Sequence, residues 1–524
     1  MDRNTGCISV LIMIFGMGII RALKNNTILK ASTIVLSITL VTKAIGYAEK
    51  VTVAYFWGTD FRADTYHAVF SILVGIAILF REILEPGLLN RLVRAKSTSG
   101  EMGSWQTFIS VFWLVGIVGA VLSCLLIADG TLPVHIFLSG FRGDRLTLAG
   151  HFFQVGGIAL FFLILSTVTN TYLLSYKKFA AIAFSDLAFK GTIVLVLLLL
   201  GNACGVYATV IGLVVGAICK FLIQTRRLSP YIFLHRLTLD RKCLSAVLLL
   251  SWPLLIGNLF SLAGNIVSNT FASYLGEGVI SALSFAKKII DLPVVLLPYT
   301  LSVVVFPFFS QMSVEKDTQR LNELFTSTIR YIVLLFLPLT IYIAVVPTDM
   351  VRLIFERGAF DSLSTELTAS VLSVYNVGTT AFALETVLVV FLFAKEKIRL
   401  VVWLGVISVL LDIAFVGLTI GRLGYLAIAW GMVVSKWVKV LALLYLNRNS
   451  IPRAIRRHAG EIGTVLLAMV VFAGLLIGCK NFFIQSAASG ISLAARLLIA
   501  ALFPFATYVL ILVKTNIIRL KYGK

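Results

Sequence analysis

Long apolar stretches with few charges recur along this chain, and they constrain its fold more than any other feature. A helix that crosses a bilayer needs roughly 20 mostly apolar residues, because the lipid core offers no partners to backbone N–H and C=O groups. About fourteen such stretches occur, at 28–54, 64–90, 105–128, 148–175, 179–201, 204–225, 243–274, 279–311, 328–347, 366–394, 399–421, 424–446, 461–479 and 491–513. The pattern predicts an all-α polytopic membrane protein without a sizeable domain outside the membrane.

Composition excludes other classes of protein. Hydrophobic residues make up 59% of the 524 residues and charged residues 13%, with a mean hydropathy of +0.98, whereas an ordinary soluble domain is roughly 25% charged. A soluble enzyme and a disordered chain are both excluded. The net charge of +21 comes mostly from Lys and Arg in alternate loops. That asymmetry predicts that both termini are cytoplasmic, and it explains the charge without a nucleic-acid partner.

A short internal similarity predicts the domain organisation. Ala54–Gly58 ends the first apolar stretch and Ala272–Gly276 ends the seventh, and both share the pattern Ala-x-aromatic-x-Gly. The spacing predicts two pseudo-symmetric six-helix lobes, 28–235 and 236–450, followed by two more helices and a basic tail in 451–524. The apolar segment Ile8–Ile20 is too short to cross a bilayer, so we expect 1–27 to be an interfacial lead-in or an over-extended start.

Several ionisable side chains lie within the predicted spans, where each one costs at least about 2.5–3.5 kcal/mol unless it has a partner or faces water. A spacing of four residues predicts pairs within single helices, Asp186 with Lys190 and Lys287 with Asp291. Arg81 and Glu85 are also four residues apart, but Arg81 stays among the unpaired charges because Pro86-Gly87 follows immediately. Other lysines near predicted helix ends are expected to reach the interface, namely Lys220, Lys436 and Lys439. The dipeptide Pro86-Gly87 is expected to break its helix beside Arg81.

The charges that remain are mainly positive. Lys43 lies near the middle of the first span and shares a helix face with Lys50, whereas Lys288 points away from the predicted Lys287–Asp291 pair. We predict a cationic cavity that binds an anion, most readily a phosphate. Its predicted substrate-binding residues are Lys43, Lys50, Asp64, Arg81 and Lys288, supported by Glu49, Glu85, Lys287 and Asp291.

Two deep acids are candidates for ion coupling. Neither Glu385 nor Asp412 has a basic neighbour at helical spacing, so either could carry Na⁺ or H⁺, or could be a neutral hydrogen-bonded acid. The sequence has no phosphate-binding loop, which argues against ATP as the direct drive. Its six cysteines form no C-x-x-C pair, so no metal site is expected. We therefore expect no cofactor, and a drive by Na⁺, H⁺ or the membrane potential.

Four segments resemble one known family. They are Thr42–Lys50 followed by Gly58 and Ala63–Tyr66, then Phe285–Ile289 running to Leu292-Pro293, then Pro307–Ser310, and finally Phe355-Glu-Arg-Gly-Ala-Phe360. Together they resemble the MurJ (MviN) family of lipid II flippases, within the multidrug/oligosaccharidyl-lipid/polysaccharide exporter superfamily. The similarity covers nearly all of the chain after about residue 28.

The resemblance implies a flippase rather than an enzyme. It implies that an undecaprenyl-pyrophosphate-linked sugar moves from the inner to the outer leaflet of the bacterial cytoplasmic membrane. The essential cavity arginines of the family fall on Lys43, Arg81 and Lys288, and its aspartate on Asp64. The two extra helices imply a groove for the lipid tail, and the function implies membrane lipid and cell-wall synthesis proteins as partners. The alternatives are a flippase for capsule or exopolysaccharide precursors, a cation-coupled drug exporter and a membrane enzyme of polymer assembly.

Overall fold

The computed structural model describes residues 27–228, 241–294, 298, 300–448, 459–484, 490–515 and 517. Within these ranges it is helical, and no strand occurs in them. The first half comprises α1 (Thr27–Trp57), α2 (Phe61–Ala128), α3 (Thr131–Phe137), α4 (Asp144–Ser175), α5 (Phe179–Cys204), α6 (Tyr207–Thr225), α7 (Arg241–Ser273) and α8 (Val279–Val294). Next come α9 (Thr300–Val314), α10 (Thr318–Val345), α11 (Pro347–Phe355), α12 (Ser362–Val377), α13 (Thr379–Ala394), α14 (Ile398–Leu423) and α15 (Leu426–Leu446). The last are α16 (Ala459–Cys479), a π-helical turn (Lys480–Ile484) and α17 (Gly490–Lys514).

The helices confirm the all-α polytopic class. Each predicted apolar stretch falls on one of them, or on a consecutive pair such as α8 with α9. Of the helices in the described ranges, nine are long and apolar enough to cross a membrane, or ten if α12 and α13, bent by 45°, form one span. The count of fourteen spans stays a prediction.

Helix α2 contains two of the predicted spans. Its 68 residues would extend for about 100 Å if straight, more than twice the thickness of a bilayer. The backbone leaves helical geometry at Gly100 (φ 68°, ψ −162°), and the helix runs through Pro86. The predicted break at Pro86-Gly87 is therefore wrong. Leu84 and Leu88 pack into the core on either side, and packing there outweighs the one backbone hydrogen bond that a proline removes.

We call α1–α6 the first lobe and α7–α15 the second lobe. One apolar cluster joins them, with Val69 and Ile72 from the first lobe and Phe285 and Ile289 from the second. The exact lobe boundaries stay predictions, since 229–240 and 449–458 lie outside the described residues, as do residues 1–26 of the predicted lead-in over 1–27 and most of the basic tail.

Helices α16 and α17 pack against α10. The Tyr508 hydroxyl donates to the Leu334 carbonyl at 2.9 Å, and the Tyr342 hydroxyl donates to the Leu497 carbonyl at 3.2 Å. Side chains of both C-terminal helices, including Phe472, share an apolar cluster with Leu334. The C-terminal pair is thus attached to the second lobe.

Candidate functional site

The two lobes are closely joined at one end, which we call the sealed end. The Ala359 N–H donates to the Tyr55 carbonyl at 2.8 Å, and the hydroxyls of Thr59 and Ser364 lie 2.9 Å apart. Gly358 has a φ of +66°, and a Cβ atom there would overlap the Tyr55 carbonyl. Backbones approach this closely only where a side chain is missing. The Phe355–Phe360 segment is therefore part of the closure between the lobes.

Asp64 lies at the sealed end, outside the cation cluster described below. Its carboxylate is buried and accepts the Gly278 N–H and the Ser281 N–H, each at 2.7 Å. These N–H groups begin α8, so Asp64 caps a second-lobe helix from the first lobe and faces its positive dipole end. The structure thus gives Asp64 a role in joining the lobes.

The turn before α2 completes this end. The Asp60 carboxylate accepts the N–H groups of Arg62 and Ala63, and burial raises the pKa of that carboxyl. The Phe61 N–H donates to Glu277 Oε1 at 2.8 Å across the lobe boundary. Helices α2 and α8 therefore begin at the same level. Distances along both helices can be measured from the sealed end.

A cation cluster lies deeper between the lobes, built around Glu49 of α1. Glu49 is 1% exposed. Its Oε2 pairs with Lys190 Nζ of α5 at 2.6 Å, and its Oε1 accepts the Tyr66 hydroxyl at 2.7 Å. The Lys190 ammonium also lies 4.7 Å from the centroid of the Phe70 ring, a cation–π distance. Both oxygens of Glu49 are thus already bonded.

Lys50 spans the lobe boundary beside this pair. Its ammonium lies 2.8 Å from His67 Nδ1 and donates to Ser284 Oγ of α8 at 3.1 Å. The His67 ring meets Phe285 edge-on, with centroids 5.0 Å apart. A first-lobe lysine therefore bonds directly to the second lobe at the level of the cluster.

Lys288 and Lys43 complete the cluster. A Cβ atom at Gly46 of α1 would lie 3.8 Å from Lys288 Nζ, so the ammonium of this second-lobe lysine lies against α1. It interacts electrostatically with Lys190, Glu49, Asp291 and Lys43. Four lysines against Glu49 and the nearby Asp291 leave a positive surplus. Such a concentration of charge inside a membrane protein favours an anionic ligand.

Arg81 is not part of this cluster. It is 45% exposed and pairs with Glu82 at 3.0 Å; Glu85 is its other acidic neighbour. Arg81 lies twenty residues beyond the start of α2, about 30 Å along the axis, whereas Lys288 lies about 14 Å along α8. In this conformation the structure brings together the predicted Lys43, Lys50, Glu49 and Lys288 and leaves Arg81 and Glu85 farther from the sealed end.

The second lobe holds a cavity of about 260 Å³ that is lined by both charged and apolar side chains. Its charged lining comprises Lys287, Asp291, Glu385 and Lys436. Glu385 pairs with Lys436 at 2.8 Å and with Lys439 at 2.6 Å. The expectation that these two lysines reach the interface is therefore wrong. Asp412 interacts electrostatically with Lys436 and Lys287, so both candidate coupling acids have lysines close by.

Both predicted pairs within single helices are also wrong. Lys190 pairs with Glu49, and Asp186 pairs instead with Lys220 of α6 at 2.7 Å. In the part of the chain that the structure describes, no ion pair within 4.0 Å joins Lys287 to Asp291. The sequence interpretation consequently missed Lys190 as a member of the cluster, because a residue four positions away offered a nearer partner along the chain.

The fold and the site together define a class of protein, a two-lobed polytopic membrane transporter with a cationic central site. Solved structures agree on the fold. An inward-facing multidrug resistance MATE family transporter of the MOP superfamily is similar with a TM-score of 0.68 at 14% identity, covering 79% of this chain and 97% of that one.

The chain belongs to the family described as lipid II flippase MurJ, whose sequence profile matches residues 53–511. The probable lipid II flippase MurJ of Borreliella burgdorferi is 25% identical over 463 residues, 87% of this chain and 90% of that protein. The lipid II flippase MurJ of Burkholderia cenocepacia is 25% identical over 471 residues, with coverage of 85% and 89%. A solved lipid II flippase MurJ in an inward closed conformation has a TM-score of 0.79 at 18% identity and covers 92% of this chain and 99% of that one. The predicted family and the prediction of a transporter rather than an enzyme are confirmed.

Proposed function

We propose that this chain is a lipid II flippase, which moves the undecaprenyl-pyrophosphate-linked peptidoglycan precursor from the inner to the outer leaflet. The observation that carries the proposal is the cation cluster of Lys43, Lys50, Lys190 and Lys288 between the lobes. A diphosphate carries several negative charges in a compact group, and clustered ammonium groups in a site of low dielectric attract it strongly.

Glu49 has a positioning role in this mechanism. Because both of its oxygens are bonded, it holds Lys190 beside the cluster without cancelling the positive surplus. Lys190 is 25% exposed, so its ammonium is open on one side to an incoming anion. Lys43 on α1 and Lys288 on α8 approach the same position from the other two helices. The diphosphate would then bind to groups from both lobes, so that movement of one lobe relative to the other carries the headgroup across.

The orientation follows from the charged loops. With both termini in the cytoplasm, the sealed end faces the outside and the cluster opens toward the cytoplasm, where the precursor is made. Arg81, farther from the sealed end, is then a first contact for the incoming headgroup. The polyprenyl tail remains in lipid beside α16 and α17. The protein is thus a multi-pass protein of the bacterial cytoplasmic membrane.

A flippase for a capsule or exopolysaccharide precursor is the second candidate. The family pattern has arginines at the positions of Lys43 and Lys288. A lysine ammonium binds phosphate as a point charge, without the two parallel hydrogen bonds that a guanidinium donates. Such a site recognises a diphosphate with little preference for what is attached to it. A drug exporter for cations is disfavoured, because the positive surplus repels its substrate.

The test is complementation of a bacterium depleted of its lipid II flippase, combined with flipping of lipid II in reconstituted vesicles. The unmutated chain should restore growth, whereas Lys43→Ala and Lys288→Ala should not, at equal protein levels in the membrane. Lys220→Ala, which removes a lysine paired with Asp186 and not with Glu49, is the control and should retain growth. If the unmutated chain is expressed but flips only another diphosphate-linked sugar, the second candidate replaces the first.

A further inference from the structure

The cavity of the second lobe contains as many fixed cations as acids. Its charged lining comprises Asp291 and Lys287 on α8, Glu385 on α13 and Lys436 on α15. Beside it, Lys439 on α15 pairs with Glu385, and Asp412 on α14 interacts electrostatically with Lys436 and Lys287. The formal charges of these six groups cancel. The cavity therefore differs from the cation cluster between the lobes, which carries a positive surplus.

The two α15 lysines pair with Glu385, the acid that a diffusible cation would need. Lys439 is 10% exposed and lies 2.6 Å from Glu385 Oε1, and Lys436 lies 2.8 Å from Glu385 Oε2. Each carboxylate oxygen thus has its own ammonium. A Na⁺ ion is held by several oxygen ligands, and here both oxygens of Glu385 already face a positive charge. Adding a free cation would leave one charge without a counterpart in a site shielded from water.

Lys436 also has a second acceptor within electrostatic reach. Asp412 Oδ1 is buried and lacks a hydrogen-bond partner within the described ranges, and it lies against Gly431 on the same helix as Lys436. Lys436 is 30% exposed, three times the value for Lys439. The flexible stem of Lys436 can therefore carry its ammonium from Glu385 toward Asp412, while Lys439 keeps Glu385 neutralised.

We propose that the Lys436 ammonium is a tethered cation that takes the place of a diffusible coupling ion in the second lobe. The inference rests on the proposed flippase function but concerns only its ion requirement. Flipping by this chain then needs no Na⁺. Removal of Lys436 exposes an acidic cavity that binds Na⁺ instead.

The first arm of the test measures ion binding without transport. The purified full chain in detergent is heated in NaCl, KCl or choline chloride at equal ionic strength. The unmutated chain should unfold at the same temperature in all three salts. Lys436→Met should gain a stabilisation specific to Na⁺ that increases with the logarithm of its concentration. Lys436→Met with Glu385→Gln should lose that response, and Lys220→Met, the control, should never acquire it.

The second arm measures flipping in vesicles with the same salts. The unmutated chain should flip equally well with and without Na⁺, whereas Lys436→Met should flip only with Na⁺ present. A Na⁺-specific stabilisation of the unmutated chain, or Na⁺-dependent flipping by it, overturns the proposal. So does a folded Lys436→Met chain without any response to Na⁺. If Lys436→Met fails to fold, a Na⁺-specific stabilisation or Na⁺-dependent flipping of the unmutated chain still overturns the proposal. Absence of lipid II flipping in every salt, with the unfolding pattern as predicted, would count against the flippase function and not against the tethered cation.

Discussion

At the scale of single residues, the sequence identified which charges are unusual but not which of them meet. Lys43, Lys50 and Lys288 were predictable members of a cationic site, because a charge near mid-span needs a reason to be there. Lys190 was not, since the i,i+4 rule considers one helix alone and paired it with Asp186. In the folded chain Glu49 is 2.6 Å away, and a buried acid at that distance outweighs a half-exposed one on the same helix. Only the packing of α1 against α5 could reveal this partner.

The Glu49–Lys190 pair predicts a separation of stability from function. Lys190→Met leaves a buried carboxylate short of its strongest partner, which for a fully buried pair costs about 3–5 kcal/mol. We expect the lower end of that range, because Lys190 is one-quarter exposed. The double variant Glu49→Gln with Lys190→Met should recover most of the free energy of unfolding while flipping stays low. Thermal unfolding in detergent and vesicle flipping measure the two quantities. Full recovery of flipping by the double variant would show that the pair is only structural.

At the scale of helices, the Phe355–Phe360 motif shows what a resemblance can and cannot supply. Its presence was read directly from the sequence, and the turn after α11 follows from Gly358. Its partner could not be read, because Tyr55 lies some three hundred positions earlier in the chain. The same holds for Asp64, which was grouped with the cavity as a nearby acid but caps α8. A helix end whose free backbone groups are bonded by a residue of the other lobe has no signature in the sequence around it.

Gly358→Ala tests this view of the motif. An alanine at a φ of +66° is strained, and its Cβ would overlap the Tyr55 carbonyl, so we expect a loss of about 2–4 kcal/mol in the free energy of unfolding. Gly417→Ala is the matched control. Gly417 lies inside α14, and a Cβ atom added there would meet no atom within 4 Å, so alanine should stabilise by about 0.5–1 kcal/mol. Equal effects of the two substitutions in thermal unfolding would contradict a close approach at Gly358.

At the scale of the whole molecule, periodicity and the internal similarity predicted the all-α class and a two-lobed arrangement. Gly58 and Gly276, from the two similar segments, both have positive φ, 53° and 105°, and each follows the first helix of its lobe. The number of spans was less accessible, because a broken helix and a bent pair satisfy the same hydropathy pattern as continuous spans. Which end of the lobes is closed depends on contacts between distant segments and could not be predicted.

We expect that transport requires the sealed end to open. In a chain whose six cysteines are replaced by serine, Thr59→Cys with Ser364→Cys places two thiols where the hydroxyls lie 2.9 Å apart. Oxidation should join the lobes and stop flipping, and a reductant should restore it. Either single cysteine variant should be insensitive to oxidation. Undiminished flipping by a fully cross-linked chain would rule out opening at this end.

The central claim is that the cluster between the lobes binds a diphosphate, and a direct binding measurement tests it most simply. Dissociation constants of undecaprenyl pyrophosphate and undecaprenyl monophosphate are measured for the purified chain, for Lys288→Ala and for Lys220→Ala. Loss of one charged partner is worth about 1.5–3 kcal/mol, so Lys288→Ala should bind the diphosphate about ten- to a hundredfold more weakly. The unmutated chain and Lys220→Ala should share a preference for the diphosphate over the monophosphate. Wild-type affinity and preference in Lys288→Ala would contradict the account.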